Sequence, residues 1–186
     1  QDDLALDCFN KSLEISKTSK YLFGTFRALE GIAQAYMYLD SIKLSEKTSR
    51  YLLDLALKND SIKQEANAYF QLGKICEQNE NYDSAIVLLN KALEIRKVIN
   101  DKKDIAKTYN GLGKLYYEKV DYQKSIEYYN DAIIIRETIN DPEGLAIAYL
   151  NFGNTLSSIG KYKPALEQYQ KALKTFELIK KQDGIA

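Results

Sequence analysis

Two lysines in register and a band of side-chain amides are the residues of this chain best suited to chemistry. Lys74 and Lys114 stand forty residues apart, and Asn110, Asn151 and Asn154 continue a series that Gln34, Asn67 and Gln71 begin. A carboxamide both donates and accepts, so a row of them can hold a peptide backbone without reading its side chains. Ammonium groups beside that row add attraction for carboxylates. Residues suited to catalysis are scarce. The chain has no histidine, which removes the usual general base and the commonest metal ligand. Cys8 and Cys76 lack zinc-site spacing, and the carboxylate pair Asp2-Asp3 reads as a helix start. Gly111-Leu112-Gly113 fails as a dinucleotide loop, because it lies in a helical stretch with no strand before it. The sequence therefore points to recognition, with no catalytic residue, metal ligand or cofactor assigned.

The elements that must carry these groups repeat every forty residues. Ala33, Gly73, Gly113 and Gly153 share one phase, as do Ile42, Tyr82, Tyr122 and Tyr162, and Ser45, Ala85, Ser125 and Ala165. A fixed period of this size signals stacked units, each burying its apolar face against its neighbours. Within a unit the spacing is helical. Tyr122, Ser125, Ile126, Tyr129, Ala132 and Ile133 follow the 3, 4, 7 rule of one helix face. Short breaks at Leu39-Asp40-Ser41, Asn79-Glu80-Asn81, Val120-Asp121 and Ile159-Gly160-Lys161 divide each unit into antiparallel helices, A and B. The A helices are expected over 24–39, 62–79, 103–119 and 142–159, and the B helices over 42–58, 82–100, 122–140 and 162–181. Asp141 and Pro142 make an N-cap and first-turn pair, Asp101 repeats the cap, and Pro164 falls in a first turn. A lone helix over 3–19 has the B phase, and Gly184-Ile185-Ala186 copies Gly144-Leu145-Ala146. The chain is therefore expected to be a single array cut within a unit at both ends. It comprises a leading helix in 1–20, units over 24–60, 61–101, 102–141 and 142–181, and the start of a further helix at 182–186. Gly73, Gly113 and Gly153 each cost a helix about 1 kcal/mol against alanine. We expect them to admit a B helix at close range, against the small residues Ala85, Ser125, Ala165, Ala92, Ala132 and Ala172. Tyr69, Tyr109 and Tyr149 fill the space between pairs, and Cys76, in phase with Tyr36, Tyr116 and Leu156, is expected in the core.

These residues resemble the tetratricopeptide repeat, a helix–turn–helix unit with a large residue, Leu, Gly and Tyr on helix A and Ala, an aromatic and Ala on helix B. The third unit carries the pattern as Tyr109, Leu112, Gly113, Tyr116, Ser125, Tyr129 and Ala132. The fourth reads Tyr149, Phe152, Gly153, Leu156, Ala165, Tyr169 and Ala172, and the second Tyr69, Leu72, Gly73, Cys76, Ala85, Leu89 and Ala92. The first is degenerate: Leu29, Ile32, Ala33, Tyr36, Ser45, Ser49 and Leu52. The period is longer than the usual thirty-four residues, and in that it is similar to the arrays of Leu-Gly-Asn-type polarity adaptors and of bacterial regulatory proteins. The resemblance implies an all-α, right-handed superhelical solenoid whose groove, lined by A helices, grips an extended or helical peptide. It places Arg27, Glu30 and Gln34 of the first unit on that face, with Asn67, Phe70, Gln71 and Lys74 of the second. Lys107, Asn110, Lys114 and Tyr117 of the third follow, with Leu150, Asn151 and Asn154 of the fourth. Phe70 and Tyr117 would be the apolar anchors. The arrangement departs from the family's dicarboxylate clamp, which disfavours a chaperone C-terminus as ligand.

Charge and composition bound the partners. Lysine plus arginine and aspartate plus glutamate number 26 each, so the net charge is zero and a nucleic-acid duplex is a poor partner. No run approaches the ~20 apolar residues of a membrane span. Cys8 and Cys76 lie on helices too far apart to bridge, and two free thiols lean towards a reducing compartment such as the cytoplasm. A periplasmic setting stays compatible with an array in a membrane-anchored sensor. On the outer face Ile134 stands where its equivalents are Asp54, Glu94 and Lys174, an apolar spot suited to self-association. The functional expectation is a protein-interaction scaffold. The alternative is a sensory or regulatory segment of a larger signalling protein, a histidine kinase or transcriptional regulator.

Overall fold

The computed structural model describes the backbone of residues 2–183 and the side chains of residues 4–180. Among the described residues there are nine helices and no strand. They are α1 (Asp2–Thr18), α2 (Leu22–Tyr38), α3 (Ile42–Lys58), α4 (Ile62–Gln78), α5 (Tyr82–Val98), α6 (Lys102–Glu118), α7 (Tyr122–Thr138), α8 (Pro142–Ser158) and α9 (Tyr162–Asp183). After the lone α1, the even-numbered helices are the A helices and the odd-numbered their B partners. The fold is an all-α stack of antiparallel pairs.

The forty-residue period conceals a shorter one. Lys20, Asp40, Asp60, Glu80, Asn100, Val120, Asn140 and Gly160 all have positive φ, between 50° and 75°. Each ends a helix in the left-handed conformation, and its own backbone N–H and that of the next residue close on the carbonyls behind. At the sixth of these ends the Val120 N–H donates to the Tyr117 carbonyl at 2.9 Å and the Asp121 N–H to that of Tyr116 at 2.9 Å. The pattern recurs as Asn81 to Cys76 at 2.8 Å and Lys161 to Leu156 at 2.9 Å. This double closure satisfies carbonyls that would otherwise be orphaned. It also explains why α5 and α7 stop at Val98 and Thr138, two residues before the expected ends: Asn100 and Asn140 have already left the helix. The helices α6, α7 and α8 start on side-chain caps. Asp101, Asp121 and Asp141 accept from the N–H groups of Asp104, Lys124 and Gly144, as their positions suggested for the first and last. At the other end α9 runs unbroken through residues 182 and 183, which the sequence pattern allotted to a further helix; residues 184–186 lie outside the described residues.

The chain forms two compact units, Gln1–Ile95 and Arg96–Ala186. In the first, Phe26, Leu29, Leu52, Ala56 and Ala68 form a buried cluster, with Leu13, Leu53 and Leu55 packed on it. In the second, Ile133, Ala148, Tyr149 and Ala172 do the same with Leu145 and Phe152. The helix glycines act as sockets. A Cβ at Gly73 would overlap Leu89 Cδ1, one at Gly113 would lie 2.9 Å from the Tyr129 ring, and one at Gly153 2.6 Å from the Tyr169 ring. Close approach is therefore the reason for glycine, as expected, but a large B-helix side chain fills the space. The small residues Ala85, Ser125 and Ala165 are buried beside it. Cys76 departs from the core its phase implied. It is half-buried and lines a crevice of about 650 Å³ with Glu46, Arg50, Leu72, Ile75 and Leu88. Burial first, and Glu46 second, push its thiol up from the ordinary value. Cys8 is exposed, and both cysteines are free.

Candidate functional site

In unit 1 the A-helix face is built from α2 and α4, and its polar groups bond to one another. Glu30 is the hub. Its carboxylate accepts from Asn67 Nδ2 at 2.8 Å and lies 4.0 Å from Arg27 Nη1, while its carbonyl accepts from Gln71 Nε2 at 3.3 Å. The other end of the Gln71 amide accepts from Ser49 Oγ at 3.4 Å. Lys74 pairs with Glu77, itself buried, and Gln34 Nε2 reaches the Tyr38 hydroxyl at 3.3 Å. Phe70, expected as an open apolar anchor, is only 9% exposed and belongs to the packing. The reason is positional: residues thirty-seven and forty-one apart meet across neighbouring A helices, so the amides tie α2 to α4.

Unit 2 presents the equivalent face on α6 and α8 differently. Lys107 and Lys114 are exposed, three before and four after Asn110, which places all three on one face of α6. Asn110 Oδ1 is buried and has no hydrogen-bond partner. Asn151 is half-buried, and the exposed Asn154 accepts from the Tyr169 hydroxyl at 2.9 Å. Tyr117 bonds Ser158 Oγ at 3.1 Å across the two A helices and stacks obliquely on Tyr122, 5.5 Å between centroids. Leu150 stays open at 41% exposure. Of the expected groove residues, Lys107, Asn110, Lys114 and Tyr117 share α6, and Asn151 and Asn154 share the neighbouring α8.

The helix–turn–helix pattern these faces rest on is matched by a tetratricopeptide repeat family model over residues 64–137 and again over 104–177. The chain belongs to the tetratricopeptide repeat family. Solved structures with the same fold include BtubC from P. vanneervenii, 19% identical, with TM-score 0.79, covering 96% of this chain and 78% of that one. A Rap protein complexed with Competence and Sporulation Factor is 21% identical with TM-score 0.85, covering 94% of this chain and 49% of that one. A signal transduction ATPase with numerous domains and a tetratricopeptide repeat sensor, from Pyrococcus horikoshii, is 22% identical with TM-score 0.77, covering 94% of this chain and 28% of that one. This chain thus spans about half of the Rap protein and less of the ATPase. Sequence comparison with curated proteins finds no match. Among the described residues no helix is long and apolar enough to cross a membrane.

Two features of these repeats escaped the sequence reading. The first is a pair of buried arginines, forty residues apart, in the last turns of B helices. Arg96 Nη1 donates to the Asp104 carbonyl at 3.2 Å and to Thr108 Oγ1. Arg136 Nη1 donates to Asp141 Oδ2 at 2.8 Å. Burial pulls the Arg136 pKa down and Asp141 opposes it. Gly144 makes room for this guanidinium, since a Cβ there would overlap Nη1. The only signal was the shared phase of Arg96, Arg136 and the apolar Ala56. The second is a tyrosine–lysine pairing. Lys91 covers the Tyr69 ring and Lys171 that of Tyr149, each at 5.3 Å and each twenty-two residues on. In the third repeat that position is Asp131, and Lys97 covers Tyr109 instead, at 5.4 Å. Tyr149 also donates to Glu137 Oε1 at 2.8 Å, and burial with that bond raises its pKa to about 12.

Proposed function

We infer that the array is a protein-interaction scaffold, a reading that its tetratricopeptide repeat fold supports. We propose that this array binds an extended peptide segment of a partner protein on its A helices, and that the face of α6 and α8 around Asn110 is the principal contact. The observation that carries this reading is the buried, unpartnered Asn110 Oδ1 beside Lys107 and Lys114. An acceptor held without a donor costs about 1–3 kcal/mol. Rotation of that amide towards the open side lets a peptide N–H meet it, and the lysines favour acidic residues alongside. Arg27, Gln34, Asn67, Gln71 and Lys74 would contribute from unit 1 only by exchanging bonds they already make.

The test is selection from a random peptide display library, followed by titration of the selected peptide. Lys107→Glu with Lys114→Glu should weaken it by about tenfold or more, as expected for charge-assisted bonds. Circular dichroism and melting should stay unchanged. A double variant that binds as tightly as the parent removes this face from consideration; an array that enriches no peptide removes the peptide itself.

The second reading, a regulatory segment of a larger signalling protein, is supported by the likeness to two neighbours, the Rap protein complexed with Competence and Sporulation Factor and the sensor ATPase. It predicts that the selected peptide also slows amide exchange in helices it does not touch.

A further inference from the structure

The crevice of about 650 Å³ in unit 1 opens away from the peptide face, because Cys76 lies about 160° around α4 from Lys74. It is lined by Glu46 and Arg50 of α3, Cys76 of α4 and Ser84, Val87 and Leu88 of α5. Its volume falls in the range of roughly 300–1,000 Å³ that small-molecule sites occupy. One repeat on, the same positions are filled differently. Forty residues after Cys76, Ser84 and Leu88 stand Tyr116, Lys124 and Tyr128. The two rings stack there, with 5.3 Å between centroids and 12° between planes, and Lys124 Nζ lies 5.0 Å from the centre of the Tyr116 ring. The third repeat thus brings two aromatic faces and an ammonium to these positions. The second brings a thiol, a hydroxyl and an isobutyl group, and its helices leave the difference in volume open to solvent.

The charges of the lining select an occupant. Glu46 and Asp83 stand against the one guanidinium of Arg50. Arg50 is already engaged, since its Nε and Nη2 both donate to Glu46 Oε1, at 2.9 and 2.7 Å. The balance is felt at the thiol: after burial, Glu46 raises the Cys76 pKa by more than Arg50 lowers it. We propose that this crevice binds a small aromatic amine, a ring carrying a protonated ammonium on a short chain. The ring takes the part of Tyr116 and Tyr128 and lies against Leu88 and the Cys76 sulfur, a contact that aromatic rings favour. The ammonium takes the part of Lys124 and is drawn to the carboxylates of Glu46 and Asp83. A neutral ring would fill the space without answering the charge, and an aromatic carboxylate would add to the negative excess.

Tryptamine is the probe, followed by amide NMR and by thiol reactivity in a Cys8→Ser background, where Cys76 is the remaining cysteine. It should shift the amides of Cys76, Ser84 and Leu88 with a Kd of about 0.1–1 mM, the yield of about a dozen non-hydrogen atoms in an open site. At saturation it should slow the reaction of Cys76 with an aromatic disulfide severalfold. Indole-3-acetate, the ring with the wrong charge, and butylamine, the charge without a ring, should each bind at least about tenfold more weakly. Cys76→Tyr with Ser84→Lys and Leu88→Tyr writes the third repeat's residues into the second and should abolish binding with helicity retained. Glu46→Gln with Asp83→Asn leaves the apolar lining in place and should weaken tryptamine by about tenfold, which decides the matter if the triple variant does not fold. Tryptamine that shifts none of these amides, indole-3-acetate that binds as tightly, or binding untouched by the carboxylate variant or by a folded triple variant would each overturn the proposal.

Discussion

Units 1 and 2 are built from the same repeat, yet the buried polar atoms found without a partner all lie in unit 2. Unit 1 has an apolar corner, where Ala56 is fully buried, and a closed A-helix face, where Glu30 gathers Arg27, Asn67 and Gln71. Unit 2 has charged corners at Arg96 and Arg136 and an A-helix face whose Asn110 acceptor is unpartnered. A repeat fold fixes the positions of side chains and leaves open which of them must find partners inside the array. Where the bonding is internal, the face is structural; where it is incomplete, as at Asn110 Oδ1, an acceptor is left over.

The largest effect should come from unit 2's corner. Asp141→Ala removes both the N-cap of α8 and the partner of the buried Arg136, and should cost about 3–5 kcal/mol in urea unfolding, the range for an orphaned buried charge. A loss under about 1 kcal/mol would mean that the guanidinium is solvated and the corners are alike.

The next test sets one face against the other. Glu30→Ala takes the side-chain acceptor from Asn67, while the backbone carbonyl that accepts from Gln71 remains, and should cost about 1–3 kcal/mol, seen as faster amide exchange in α2 and α4. Asn110→Ala removes an unpartnered buried acceptor, so it should raise stability by about 1 kcal/mol or more while weakening peptide binding. Equal destabilisation by the two would erase the distinction drawn between the faces.

Alkaline titration probes Tyr149 of unit 2. Tyr149 has a pKa of about 12 in the fold, against about 10 unfolded. Above pH ~10 the unfolded chain loses this proton first, so stability falls as pH rises from about 10 to about 12. Tyr149→Phe should flatten that slope in melts taken across the window, and an unchanged slope would show that the Glu137 bond is not felt.

The smallest effect is a gain. Val120 is β-branched and sits at φ 63°, a left-handed conformation that costs most residues about 1 kcal/mol or more. Val120→Gly should raise stability by up to about 1 kcal/mol in the same urea assay.

Much of this was legible from the period. Helix positions, pair order and the phase of the glycines all follow from residues that recur forty apart, because packing against identical neighbours demands identical spacing. What stayed hidden involves partners rather than phase. Nothing local tells Asn67 that Glu30, thirty-seven residues earlier, will take its amide. Arg136 reads as a solvated last-turn cation until Gly144 is seen making room for it. Gly113 reads as a seat for a small residue, whereas the Tyr129 ring occupies it. Side-chain bonds between successive A helices depend on which of several equally placed groups lie within reach, and a repeat pattern is silent on that choice.

The left-handed residue at every twentieth position gives the chain natural splice points. Each helix is closed by its own pair of backbone bonds before the next begins. A guest loop grafted beside Glu80 or Val120 would leave both flanking helices whole, whereas one extra residue within a helix would rotate everything after it by about 100°. The array is therefore editable in half-repeat modules, and those turns are where an engineered or natural insertion can be carried without loss of register.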